Sequence, residues 1–128
     1  MIDYNKRIAD YKGRIEVCNK KIVACKSLIA FYNKRITSCA EKMLDDNEKI
    51  TVYTKNLMGG AELKTPLKVR IAACNRRLAA NSKIIATCYK RIGFINKRIE
   101  HYRERITTYE KKIAVFKKKM RLKAAKNK

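Results

Sequence analysis

The sequence predicts an all-α protein, a long two-helix antiparallel coiled-coil hairpin with a strict heptad repeat. The first observation behind this prediction is that the pentapeptide Tyr4–Ile8 recurs unchanged as Tyr32–Ile36, four heptads later. The second is that apolar residues occupy the same two heptad positions along almost the whole chain, which imposes a left-handed supercoil on paired helices. The third is the composition, which combines 46% hydrophobic and 34% charged residues with no Trp and a single Pro. That balance is typical of long helices.

The predicted seam between the helices consists of heptad positions a and d, with Ile8 taken as position a. Most of these residues are Ile, Tyr or Cys, which would form a narrow core along the whole pair. Position a recurs every seven residues from Ile8 to Leu57 and from Ile71 to Met120, and position d from Tyr4 to Tyr53 and from Leu67 to Phe116.

One interruption, from Met58 to Pro66, divides the chain. Gly59 and Gly60 should end the first helix, and Thr65 offers a cap followed by proline at the first helical position. Because so short a loop cannot span the ~80 Å of a helix of about 55 residues, the two helices should be antiparallel. The predicted segments are a first helix at 1–58, a connecting loop at 59–66, a second helix at 67–120 and a basic C-terminal tail at 121–128.

Two polar residues in the seam, Asp46 and Asn81, suggest how the helices are aligned. If Ile8 faces Phe116, these two residues fall in neighbouring layers of the seam. Buried polar groups that lie close together can satisfy one another and fix the register. Asp46 and Asn81 are therefore expected to lie close enough to satisfy one another.

The formal net charge is +22, and it is unevenly distributed. Residues 1–63 carry 12 Lys and Arg against 8 Asp and Glu, whereas residues 64–128 carry 21 against 3. An excess of this size predicts a polyanionic partner, either nucleic acid or an acidic protein surface.

Heptad position g carries most of the predicted partner-binding residues, which we term the basic face. In an antiparallel pair g faces g, so like charges line both edges of one groove. That arrangement costs stability unless anions lie along it. A merely solvated surface is the alternative interpretation. The predicted anion-binding residues of the basic face are Arg7, Arg14, Lys21, Arg35, Lys49, Arg77, Arg91, Arg98, Arg105, Lys112 and Lys119.

A predicted apolar docking patch interrupts the basic face. Leu28 and Ile84 replace basic residues at g, and Phe31 and Phe94 occupy position c beside it. In the predicted register the two phenylalanines lie across from one another. Exposed Phe among arginines predicts contact with a neighbouring protein or with stacked bases.

No motif points to catalysis, so we expect a non-enzymatic protein without cofactor, metal or small-molecule substrate. All five cysteines fall at d, where a small apolar side chain in the core is the ordinary explanation. Cys39 and Cys88 lie in adjacent layers, and whether they can crosslink stays open. The single histidine, His101, falls at an outer position, where it has no metal-ligating cluster around it.

The cysteine pattern and the lack of long apolar runs predict where the protein resides. An odd number of cysteines without a CxxC pair favours a reducing compartment. No apolar run approaches the roughly 18 residues of a membrane span, and the N-terminus has no apolar core of a signal peptide. We expect an intracellular protein, in the cytoplasm or inside a particle assembled there, neither secreted nor transmembrane.

Three functions fit these expectations. The first is a structural protein, a rigid basic strut in a large assembly such as a virion or a ribonucleoprotein particle. The second is a sequence-independent nucleic-acid-binding or condensing protein that works through phosphate contacts alone. The third is binding to an anionic membrane surface, which is weaker because the main apolar face is already used in the seam.

Overall fold

The computed structural model describes residues 3–60 and 63–127. Two helices are present in this part of the chain, α1 (Tyr4–Met58) and α2 (Lys64–Lys126), and they pack against each other. The described residues contain no strand. The protein is therefore all-helical, as the sequence predicts.

Both ends of α1 follow from local sequence. At the start, the Asp3 Oδ1 atom accepts a hydrogen bond from the Lys6 backbone N at 3.1 Å, so Asp3 caps the helix. At the end, the Gly59 backbone N donates to the Lys55 carbonyl oxygen at 2.9 Å. Gly60 then turns the chain with a φ of 80°, a conformation that glycine adopts without a Cβ clash. The predicted glycine stop at 59–60 matches this geometry.

The observed bounds of α2 differ from the predicted ones at both ends. The Leu67 backbone N donates to the Leu63 carbonyl oxygen at 3.4 Å, so the helix begins at Lys64, before the predicted 67. Pro66 lies in the first turn, where the backbone N–H it lacks would have no partner inside the helix anyway. Residues 121–126 of the predicted tail are helical. Residues 61, 62 and 128 of the predicted loop and tail lie outside the described residues.

The chain divides into two compact units, each built from a piece of both helices. Unit 1 consists of Met1–Leu28 and Phe94–Lys128, and unit 2 of Ile29–Gly93. In unit 1, Tyr4 lies against Phe116 and Tyr11 against Tyr109, both with ring centroids 5.7 Å apart. The residue number thus rises along α1 as it falls along α2, so the helix segments of unit 1 run in opposite directions.

The helix segments of unit 2 also run in opposite directions. Tyr32 contacts Arg91, Asp46 contacts Arg77, and Tyr53 contacts Arg70. From the start of the unit towards its turn, each later residue of α1 contacts an earlier residue of α2.

Burial is concentrated in the two predicted seam series. Among the described residues, every residue that is not exposed belongs to position a or d, except Ala73 and Ile84. Phe116, predicted to face Ile8, contacts the two seam tyrosines on either side of it, Tyr4 and Tyr11. The five cysteines are buried free thiols, namely Cys18, Cys25, Cys39, Cys74 and Cys88.

Lysine crosslinking tests the pairing of the helices in each unit. Because Tyr11 contacts Phe116, a short amine-reactive crosslinker should join the neighbouring Lys12 and Lys117 in unit 1. In unit 2 it should join Lys42 and Lys83. Mass spectrometry of the monomer band identifies the linked peptides. A link between Lys12 and Lys68, near the starts of the two helices, would instead indicate parallel pairing and contradict the structure.

Candidate anion-binding face

A cleft of about 210 Å³ opens on the basic face of unit 2. Three of its lining residues are cationic and two carry hydroxyl groups, so it offers several donors to an anion and no carboxylate to repel one. Its lining also includes an isoleucine at position g, where most other residues of the series are basic. The lining residues are Tyr32, Arg35, Lys83, Ile84, Thr87 and Arg91.

A contact between the helices orients Arg91 in this cleft. Its Nη1 atom donates a hydrogen bond to the Tyr32 hydroxyl oxygen at 3.1 Å, and its guanidinium carbon lies 5.8 Å from the Tyr32 ring centroid. The bond to Tyr32 raises the pKa of Arg91 above its ordinary value, so the guanidinium stays charged. Because the Tyr32 hydroxyl accepts this bond, its own proton remains available to an anion.

A second cleft, of about 280 Å³, lies on the basic face of unit 1. Arg14, Lys21 and Arg105 supply positive charge, and the rings of Tyr102 and Tyr109 form part of the wall. The cleft also includes the carboxylate of residue 10, which opposes an anion. Of the two clefts, the one in unit 2 is therefore the better anion site.

Most cations of the basic face lie over aromatic rings of the seam. A cation above the face of an aromatic ring is attracted by the ring quadrupole, by about 0.5–1 kcal/mol at exposed sites. The expected repulsion between facing cations is therefore offset by the rings between them. In unit 1, Arg7 and Lys119 lie over the Phe116 ring (5.9 and 5.7 Å), and Arg14 and Lys112 lie over the Tyr11 ring (both 5.4 Å). Arg14 also lies over Tyr109 (5.9 Å), and Lys21 lies over Tyr102 (5.6 Å). In unit 2, Arg70 lies over Tyr53 (5.8 Å).

The buried carboxylate of unit 2 has a different partner from the one predicted. Arg77 Nη2 lies 2.9 Å and Arg77 Nε 3.1 Å from Asp46 Oδ1, and Nε also lies 3.3 Å from Oδ2. Arg77 Nη2 also donates to Cys74 Sγ at 3.1 Å. Asp46 is 4% exposed and pairs with this guanidinium, so the expected pairing with Asn81 is wrong. A rigid fork of donors satisfies a carboxylate better than one amide does.

This ion pair controls the titration of Asp46. The hydrogen bonds from Arg77 hold the pKa of the Asp46 carboxyl below its ordinary value of 3.8, and the positive charges of Arg77 and Lys49 act in the same direction. A depressed folded-state pKa means that the ionised carboxylate stabilises the fold above the unfolded-state pKa. This contribution is lost as the pH falls through the folded-state pKa.

The eleven predicted residues of the basic face thus divide by their contacts. Six lie over aromatic rings, as given above, and Arg77 and Lys49 contact carboxylates, with Lys49 Nζ 3.1 Å from Asp45 Oδ2. Within the described part of the chain, Arg35, Arg98 and Arg105 make no ion pair, hydrogen bond or ring contact. On the basic face, these three are therefore the residues whose donors are free for an external anion.

Sequence reasoning missed three residues of this face. Arg70 at position g lies over Tyr53, and Lys83 and Thr87 line the unit 2 cleft. For Arg70 the signal was present, because a cation at g next to a tyrosine at d recurs along the chain. For Thr87 it was present too, because position c lies beside position g. For Lys83 it was not, since position f lies on the outer side of the helix in the heptad pattern.

The residues of the predicted apolar patch are mostly exposed. Leu28 and Phe94 belong to unit 1, with 44% and 57% exposure, and Phe31 belongs to unit 2, with 57% exposure. The Phe31 ring lies edge-on to the Tyr32 ring at 5.4 Å, and Ile84 is half-buried. That Phe31 and Phe94 lie across from one another stays a prediction.

Residues 3–60 and 63–127 contain no group of three His, Cys, Asp or Glu side chains that could hold a metal ion. No helix in the same ranges is long and apolar enough to cross a membrane. Comparison of the chain with protein families, with curated proteins and with solved structures gives no match.

Removing the partner of Asp46 should destabilise unit 2. Arg77→Gln leaves a buried carboxylate without its guanidinium, which is far more costly than losing a solvated charge. We expect a clearly lower melting temperature at pH 7, measured by circular dichroism. Arg76→Gln is the matched control, since it removes the same charge from the adjacent exposed position and should change the melting temperature little.

The same pair predicts a pH dependence. Because the pKa of Asp46 is depressed, stability should fall as the pH drops below about 3.8. Asp46→Asn should be less stable than the wild type at pH 7 and should lose less stability on acidification. Equal acid sensitivity of the two proteins would mean that Asp46 does not carry this effect.

Proposed function

We propose that this chain is a non-enzymatic structural protein, a rigid basic coiled-coil strut in a large intracellular assembly such as a virion or a ribonucleoprotein particle. Its basic face meets a polyanion, for which the phosphates of nucleic acid are the best fit and an acidic protein surface is the alternative. The observation that carries the proposal is the cleft of unit 2, where three cations and a tyrosine hydroxyl converge.

The pattern of burial supports the coiled-coil part of the proposal. Residues shielded from solvent recur at alternating steps of three and four along both helices. This spacing averages 3.5 residues and keeps one narrow stripe facing the partner helix. With the opposite directions of the helix segments in each unit, it supports an antiparallel hairpin with a heptad repeat.

The available arginines support the choice of phosphate. Guanidinium groups bind phosphate oxygens through paired, charge-assisted hydrogen bonds. Arg35 in the unit 2 cleft and Arg105 in the unit 1 cleft have no carboxylate partner among the described residues. Their donors are therefore not committed within the chain. Cations and hydroxyl groups of this kind hold an anion without transforming it, which fits a binding role.

The exposed phenylalanines support an assembly rather than a free protein. Phe31 and Phe94 each expose more than half of their surface. Large exposed apolar side chains next to cations mark contact surfaces. We propose that each of them contacts a neighbouring protein, or a stacked base, when the strut is in place.

The decisive test compares two triple variants, one of basic-face arginines and one of outer lysines, and none of these six residues has an ion-pair partner among the described residues. The first variant is Arg35→Gln with Arg98→Gln and Arg105→Gln, all on the basic face. Duplex binding should weaken, and the negative slope of log affinity against log salt should become shallower by about 2.7, because each phosphate contact contributes about −0.9. Binding is measured by fluorescence anisotropy with a short duplex at several salt concentrations, and the melting temperature should not fall.

The control variant is Lys34→Gln with Lys97→Gln and Lys111→Gln, which removes the same charge from the exposed outer side of the helices. If both variants weaken binding equally, position does not matter and charge alone binds the duplex. That outcome would favour the second candidate, a sequence-independent condensing protein, which the overall charge of +22 also supports. A dominant effect of the basic-face variant supports an oriented strut.

A further inference from the structure

Unit 2 carries an uncharged stretch of surface between Ala30 and Thr51 on α1 and between Ala72 and Gly93 on α2. It comprises two rows of exposed residues, one on each helix, and we term it the neutral face. In a chain with 34% charged residues, fourteen exposed positions with no charge form a distinct surface. The rows are Ala30, Asn33, Thr37, Ala40, Leu44, Asn47 and Thr51 on α1, and Ala72, Asn75, Ala79, Ser82, Ala86, Tyr89 and Gly93 on α2.

Helix geometry puts both rows on the same side of unit 2. Every residue of each row directly follows a seam residue, so it points about 100° around the helix from the seam, given 3.6 residues per turn. The α1 and α2 segments face each other and run in opposite directions. The same rotation on two such helices leads to the same side of the pair. The two rows therefore form one continuous face.

Unit 1 provides an internal comparison. The equivalent fourteen positions of unit 1 are also exposed, and seven of them are charged. These charged residues are Lys12, Glu16 and Lys26 on α1, and Glu100, Arg103, Glu110 and Lys117 on α2. Over the same number of exposed positions, charge is thus missing in unit 2 and frequent in unit 1, so exposure alone does not explain the neutral face. The α2 row ends before Lys68, the next position towards the turn, which is charged.

The neutral face has the chemistry and size of a protein interface. Leu44 and Tyr89 are 63% and 59% exposed, whereas the alanines and Gly93 allow another backbone to approach closely. Each row extends about 33 Å at 1.5 Å per residue, and two helices are about 20 Å wide. Contact over this area on both partners would bury about 1,300 Å², within the range of specific interfaces.

We propose that the neutral face of unit 2 binds the same face of a second copy, which makes the protein a two-fold symmetric dimer. The distribution of charge indicates which partner binds this face. Two chains of net charge +22 repel one another wherever their cations meet, and the fourteen positions of the neutral face bring none. The neutral face offers no cation to the phosphates of nucleic acid. A second copy brings an equally uncharged surface, so no charge is desolvated on contact.

Sedimentation equilibrium of the full chain tests this proposal. The wild type should approach twice the 14.9 kDa of one chain as its concentration rises, and added salt should strengthen association by screening the remaining charges. Leu44→Lys with Tyr89→Lys should raise the dissociation constant at least about tenfold, because the two-fold axis brings each new charge into the interface twice. Circular dichroism should report unchanged helix content, since both residues are exposed.

The matched control is Val52→Lys with Val69→Lys. These valines also lie in unit 2, are 55% and 60% exposed, and lie outside the neutral face. The control should dimerise nearly as well as the wild type, although it gains the same two charges. At a protein concentration of about 1 mM, any dimer with a dissociation constant below about 1 mM is mostly formed. A wild type that is still monomeric at this concentration would overturn the proposal. Equal weakening by the two variants, or association that survives in the first, would also overturn it.

Discussion

The structure depends on a seam that is only one stripe wide. In the described part of the chain no third element covers the edges of the contact between the two helices. The apolar core is therefore a narrow stripe, made mainly of buried Ile and Cys and half-buried Tyr side chains. Cysteine fits this position because its small apolar side chain can pack opposite a larger neighbour. Tyrosine fits because its ring packs in the seam while its hydroxyl reaches the edge. The seam thus determines which side chains can lie beside it.

The aromatic rings explain how the two helices of so basic a protein can pack against each other. Facing rows of Lys and Arg would repel one another across bare aliphatic side chains. Here Arg14 lies over the rings of both Tyr11 and Tyr109, and Arg91 donates to the Tyr32 hydroxyl. Each ring gives a cation a favourable neighbour without neutralising its charge. A carboxylate in the same place would also stabilise the pair but would cancel the charge that an anion could use.

The sequence predicted the all-helical fold, the glycine stop at 59–60 and which residues would be shielded, because these depend on periodicity and local backbone chemistry. The sequence did not predict the contacts of long side chains that can reach more than one partner. Asp46 was assigned to Asn81 by layer number, yet Arg77 reaches it from the edge with two donor atoms. Heptad positions specify where a Cβ atom lies and not where a guanidinium five bonds away will bind. The unit 2 cleft was missed for the same reason, since Lys83 lies outside the rows considered.

Charge in unit 2 is sorted by side of the helix pair, and this sorting resolves a conflict between binding anions and self-association. A uniform distribution of cations would attract a polyanion from every direction and would prevent two copies from touching. The cations Arg35, Lys83 and Arg91 line the cleft on the basic face. The neutral face lies about 100° around each helix from the seam, in the opposite sense to the basic face. Two copies joined through their neutral faces would leave both basic faces pointing outward. A strut built in this way could contact a polyanion on two sides at once, which multiplies the binding strength of each individual cleft.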